Sequence, residues 1–135
     1  MKLSESDQLE LKSSWDDSYL RTICAFANTK GGKLIVGIDD KFNSVQLFNV
    51  KKLQEDIPNK IISQLGIIPN VYVENFKACN LVVIEVEKSE LAISYNGQFF
   101  VRVGSTTQVL KGNELSRFLI NKSGSNWDEY VVQEA

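Results

Sequence analysis

Two sets of side chains in this chain are of the types that do chemistry on phosphates. One is acidic: Glu5, Glu10, Asp39 and Asp40, with Lys12 two residues beyond Glu10. Carboxylates delivered by two strands can hold Mg²⁺ or Mn²⁺, and such a metal activates water for phosphodiester cleavage. Acidic residues at strand ends also serve simply as solvated groups or turn caps, and spacing alone does not separate these uses. The other set is basic: Lys12, Lys30, Lys33, Arg102 and Lys111, with Arg117 and Lys122 further on. Gly104-Ser105-Thr106-Thr107 follows Arg102 and offers backbone N–H groups and hydroxyls, which grip phosphate oxygens. The same four residues also suit an ordinary strand-to-helix loop with Ser/Thr turn chemistry.

Asn28-Thr29-Lys30-Gly31-Gly32-Lys33 invites comparison with a phosphate loop, but the order is reversed. A phosphate loop follows a strand and opens a helix, so that helix N–H groups face the anion. Here the glycines follow a predicted helix and open a strand, so they read as a helix cap. Lys30 and Lys33 still flank the turn, within reach of a backbone phosphate. Phe99 and Phe100 are adjacent, so they face opposite sides of their strand and at least one belongs to the core. That weakens any base-stacking platform there.

The elements that must position these groups are legible from periodicity. Leu9 to Lys12 reads as a short strand and Trp15-Asp16-Asp17-Ser18 as a turn, with Asp17 or Ser18 as helix cap. Leu20, Ile23, Cys24 and Ala27 recur at helical spacing, and Gly31 or Gly32 ends that helix. Lys33 to Ile38 is a strand, and Ile35 suggests that it is covered on both faces. Leu53, Ile57, Ile61 and Leu65 mark a second helix, which starts or kinks at Pro58 and closes at Gly66. Strands follow at Val71–Phe76 and Leu81–Val86. A hairpin then joins Ile93–Tyr95 to Gln98–Val103 through Asn96-Gly97. A last helix covers Gly112 to Lys122, capped by Asn113, with Leu115, Phe118 and Leu119 inward.

The expected fold is α+β: a single compact domain with a mixed β-sheet and about three helices. It occupies residues 1–122. Residues 123–135 read as a linker, Ser123 to Asn126, followed by the start of a missing C-terminal region.

Composition narrows the function. The chain has 135 residues, 43% of them hydrophobic and 24% charged, which fits one soluble domain. No run of about 18 apolar residues and no secretory leader is present, so neither a membrane span nor export is expected. With no histidine, a Ser-His-Asp triad cannot be built, and with only two distant cysteines, Cys24 and Cys79, a zinc site is not expected. Net charge is −2, so any nucleic-acid binding has to come from a local basic face.

Four stretches, in this order, resemble the Schlafen AlbA-like domain: Glu5 with Glu10-Leu11-Lys12, then Ala25-Phe26-Ala27-Asn28-Thr29-Lys30-Gly31-Gly32, then Val36-Gly37-Ile38-Asp39-Asp40, then Phe100-Val101-Arg102-Val103-Gly104-Ser105-Thr106-Thr107. The resemblance implies a DNA-binding domain at the N-terminus of bacterial transcriptional regulators or RecG-like helicase-related proteins, working in the cytoplasm. The implied contacts are Lys12, Lys30, Lys33, Arg102, Ser105, Thr106 and Lys111, with no cofactor. A second implied activity is a metal-dependent endoribonuclease, since some Schlafen proteins cleave tRNA or rRNA with a Glu, Glu, Asp metal site. Glu5, Glu10 and one of Asp39 or Asp40 then take the Mg²⁺ or Mn²⁺, with Lys12 on the scissile phosphate. The family arrangement for that activity uses two lobes and this chain has one, which favours binding over catalysis. The family's usual glycine turn after Asp40 is replaced by Asn43, which adopts the same conformation. The usual proline before the hairpin is absent from Leu91-Ala92-Ile93. A protein-interaction or homodimerisation module is the remaining alternative.

Overall fold

The computed structural model describes the backbone of residues 6–134 and the side chains of residues 6–123. The elements run β1 (Leu9–Lys12), a 3₁₀ turn (Asp17–Tyr19), α1 (Leu20–Asn28), β2 (Gly32–Val36), α2 (Val50–Leu65), β3 (Asn70–Phe76), β4 (Cys79–Val86), β5 (Phe100–Val103), β6 (Thr106–Val109) and α3 (Gly112–Glu134). This is an α+β fold with two sheets. The larger has strand order β1-β2-β4-β3, and β5 and β6 form a separate two-stranded ribbon.

β1 and β2 are parallel, which requires the crossover that α1 supplies. The other neighbours in the large sheet are antiparallel. Alternation along β2 sends Leu34 and Val36 to one face, where they pack with Ile23, Cys24 and Phe26 of α1 and Leu53, Ile57, Ile61 and Leu65 of α2. Ile35 goes to the opposite face and joins Leu11, Ile38, Leu81 and Val83 in a second cluster. The strand is thus covered on both sides, as its unbroken apolar run implies.

Local chemistry sets the boundaries. Asp16, rather than Asp17 or Ser18, caps the start of the helical segment, its carboxylate accepting from Ser18 N at 3.1 Å. The backbone is already extended at Asp16, as a cap requires, and Asp17 has entered the 3₁₀ turn. α2 runs unbroken through Pro58 and ends at Gly66, which takes the left-handed conformation at φ 71°. Lys77 and Ala78, both at positive φ, make a two-residue turn between β3 and β4, shorter than the four-residue connection expected. Asn96 and Gly97 do turn the chain, but only a single bridge, Tyr95 to Gln98, forms beside them. The longer ribbon is β5–β6, which the Ser/Thr-rich sequence conceals. The final helix extends in backbone to Glu134, so the linker expected at Ser123 to Asn126 is helical. Extending a formed helix costs far less than nucleating one, even through poor helix formers. Asn113 lies inside that helix rather than capping it. Leu115 and Phe118 are half-buried, with the Phe118 ring 6.2 Å from that of Phe99, while Leu119 is exposed.

Candidate nucleic-acid interface

Two of the sequence motifs meet. α1 ends in Asn28 and Thr29, and these two side chains fasten the segment that leads into β5. Asn28 Nδ2 donates to Ile93 O and Phe100 O, both at 2.8 Å, and its Oδ1 accepts from Ile93 N at 2.8 Å. Thr29 Oγ1 accepts from Arg102 N at 3.0 Å and donates to Ala25 O at 2.8 Å. Asn28 is buried with both its amide oxygen and nitrogen satisfied, the condition under which a polar side chain stabilises a core.

Arg102 therefore arrives on β5 with its side chain pointing at β1. Its guanidinium is only 1% exposed. Nη2 contacts Glu10 Oε1 at 2.7 Å and Ser6 O at 2.8 Å. Nη1 donates to Thr107 Oγ1 at 3.0 Å, and the plane lies over the Phe26 ring at 4.9 Å. Its Nε–H is the one buried side-chain polar group among the described residues without a hydrogen-bond partner. Thr107 in turn meets Thr22 Oγ1 at 3.2 Å. Glu10 presents its second oxygen to Lys12 Nζ at 3.6 Å. The Lys12 ammonium also stands over the Tyr19 ring, 4.7 Å from its centroid, and Trp15 meets Tyr19 edge-on at 5.8 Å. Trp15 Nε1 donates to Asp17 Oδ1 at 2.8 Å. A continuous set from Trp15 through Tyr19, Lys12, Glu10 and Arg102 to Thr107 thus lines the junction of β1, α1 and the β5–β6 ribbon. Lys12 is its part-exposed cation.

The remaining expected contacts do not converge there. Lys33 pairs in register with Leu9, on the face of the sheet opposite Lys12, and is bound to Glu85 at 3.0 Å. Lys30 is bound to Asp7 at 2.9 Å. Ser105 and Thr106 do not form an open phosphate cradle. Gly104 and Ser105 are a tight turn, and Thr106 and Thr107 belong to β6, opposite Val103 and Arg102. Ladder pairing consumes the backbone groups that a cradle needs free, and Thr106 Oγ1 donates to Val103 O at 2.7 Å. Lys111 is exposed and has no ion pair among the described residues. Arg117 is bound to Glu114 at 3.0 Å, and Lys122 donates to Ser89 O at 2.6 Å.

The carboxylates do not assemble a metal site among the described residues, which contain no group of three such ligands. Glu5 lies outside the described residues. Glu10 is committed to Arg102 and faces Lys12. Asp39 Oδ1 accepts from Lys41 N and Asn43 N, both at 2.9 Å, closing the turn after β2. Those backbone donors, Asn43 N–H foremost, hold the Asp39 carboxyl below its ordinary range. Asp40 is exposed.

Sequence reasoning had no signal for Trp15, Tyr19 and Thr107 as a group, because their proximity depends on how α1 and the ribbon dock. Asn28 and Thr29 did carry one, as members of the AFANTKGG block.

The chain belongs to the Schlafen, AlbA_2 family, whose model matches residues 5–111. Among solved structures, the N-terminal domain of a protein from Nitrosomonas europaea, described as related to the ATP-dependent DNA helicase RecG, is similar at 28% identity and a TM-score of 0.58, over 81% of this chain and 88% of that one. The DIP2311 protein from Corynebacterium diphtheriae is similar at 17% identity and a TM-score of 0.60, a likeness of fold alone. That match covers 77% of this chain and 25% of the other, so the chain spans about a quarter of that protein's length. No curated protein matches the chain.

Proposed function

We propose that this chain is a nucleic-acid-binding domain, with DNA the favoured ligand, that serves as the N-terminal part of a bacterial transcriptional regulator acting in the cytoplasm. The observation that carries the reading is Lys12, a part-exposed ammonium seated on the Tyr19 ring beside Trp15. A cation for the backbone beside aromatic rings is the combination single-strand binders use, and here Trp15 and Tyr19 are half-buried, packing on the core with one side. Family membership and the likeness to a RecG-related protein point the same way. The reading needs no metal.

The test is fluorescence anisotropy of short single-stranded and duplex DNA and RNA, at low and high salt, with and without Mn²⁺, followed by a gel of the products. Affinity that falls with salt while the strands stay intact is the expected result. No binding at low salt would contradict the reading and favour an interaction module. RNA cut only with Mn²⁺, and not by Glu10→Ala, would replace it with the nuclease.

A further inference from the structure

We propose that Arg102 is a positioning residue for this interface: by holding one oxygen of Glu10 at 2.7 Å it leaves the Lys12 ammonium only loosely paired with the other, at 3.6 Å, and so available to a phosphate, while never touching the nucleic acid itself. The proposal rests on the reading of Lys12 given above and assigns the buried arginine its part in it.

Three charges stand in a row, and their exposures differ sharply. The side chains of Arg102, Glu10 and Lys12 are 1%, 9% and 31% exposed. A buried carboxylate must be neutralised close at hand. Two cations are available, and their distances say which one does it. Arg102 Nη2 is 2.7 Å from Oε1, a short charge-assisted hydrogen bond, whereas Lys12 Nζ is 3.6 Å from Oε2, beyond hydrogen-bond length. Thr107, Ser6 O and the Phe26 face fix the plane of the Arg102 guanidinium, so it does not swing out. The row carries one net positive charge, and that charge sits on its most exposed member, Lys12. Without Arg102, the only cation left in the row beside Glu10 is Lys12, which is drawn inward and neutralised.

A purely structural bolt between β1 and β5 predicts something different, and a double-mutant cycle separates the two. Binding of single-stranded DNA is measured against salt for the unmodified chain, Arg102→Met, Lys12→Gln, the two combined, and Arg102→Met with Glu10→Gln. Circular dichroism checks that each variant is folded. The expected result is that Arg102→Met weakens binding as much as Lys12→Gln does. Each should lower the salt slope by roughly 0.7, the share of one phosphate on a single strand. Combining the two adds no further loss. Arg102→Met with Glu10→Gln restores both affinity and slope, because no carboxylate remains to capture Lys12.

A full additional loss in the Lys12→Gln background overturns the proposal, and so does parental affinity in Arg102→Met alone. The variant lacking both charges buries no orphaned ion, so it decides the matter even where Arg102→Met alone does not fold. Parental affinity and slope there support the proposal, and weak binding by that folded variant overturns it. Binding by the unmodified chain that Lys12→Gln leaves unchanged contradicts the placement of Lys12 and the proposal built on it. No binding by the unmodified chain contradicts the nucleic-acid reading itself.

Discussion

Arg102 is the residue whose environment departs furthest from what its type suggests. An arginine beside a Gly-Ser-Thr-Thr turn reads as a surface phosphate ligand, yet here it is buried against Phe26 and paired with Glu10. Removing one partner of such a buried pair generally costs about 3–5 kcal/mol, because the other charge is left stranded. Arg102→Ala should therefore destabilise the chain far more than Lys30→Ala, which breaks only a solvent-screened surface pair with Asp7. Urea titration of both variants checks this, and similar midpoints would contradict the burial. Cys24 behaves as the sequence implies. Burial pushes its thiol up to about 11, so it stays protonated near neutrality, and its Sγ lies 3.3 Å from Ile93 O. A thiol reagent at pH 8 should modify Cys79 in the native protein and reach Cys24 only on unfolding. Rapid reaction at both would show that the α1 core opens.

Within the elements, the α1–β2 corner is the most tightly specified. Gly31 sits at φ 77°, and a Cβ there would meet Val86 O at 2.8 Å. A Cβ on Gly32 would meet the Phe26 ring at 2.6 Å. The C-cap of α1 is Thr29 rather than either glycine; Gly31, whose N–H donates to Phe26 O at 2.7 Å, and Gly32, the first residue of β2, instead let the chain turn directly into a strand against β4. Gly31→Ala should cost about 1–3 kcal/mol from the strained backbone alone, plus the clash with backbone oxygen. An unchanged melting temperature would contradict this geometry. This corner was readable in advance because helix period, glycines and strand alternation coincide within a few residues. The β5–β6 ribbon was not. Its partner strand, Thr106-Thr107-Gln108-Val109, has no apolar alternation, and besides the local Arg102–Thr107 bond it is held by Thr22, 85 residues away in sequence. The interface failed to be legible for the same reason. Lys12 was identifiable, but the aromatic pair beside it and the carboxylate behind it depend on tertiary docking.

For the whole molecule, acidic residues outnumber basic ones, and much of that acid is already engaged. Asp7 is held below its ordinary value chiefly by its hydrogen bond from Lys30, Asp17 by that from Lys60, and Glu85 by that from Lys33. The lowered groups favour the folded state above their unfolded values of 3.8 and 4.5, and that contribution is lost as pH falls through the lower folded values. Thermal stability should accordingly hold between about pH 5 and 8 and decline in acid below about pH 4. A melting temperature that rises on acidification would contradict these pairings. Among the described residues no helix is long and apolar enough to cross a membrane. The same pairings explain how a member of this family can carry lysines in its motifs without a broad basic face. Lys30 and Lys33 are answered by their own carboxylates, and in the proposed reading the anion is drawn to Lys12, where Arg102 has already taken one oxygen of Glu10.

The most direct test of that claim is an NMR titration of the ¹⁵N-labelled chain with a short single-stranded DNA at low salt. Shifts concentrated at Lys12, Trp15, Tyr19, Thr22 and Thr107, lost in Lys12→Gln, are the predicted result. Shifts centred instead on Lys30, Lys33 and Lys111, or none at all, would contradict it.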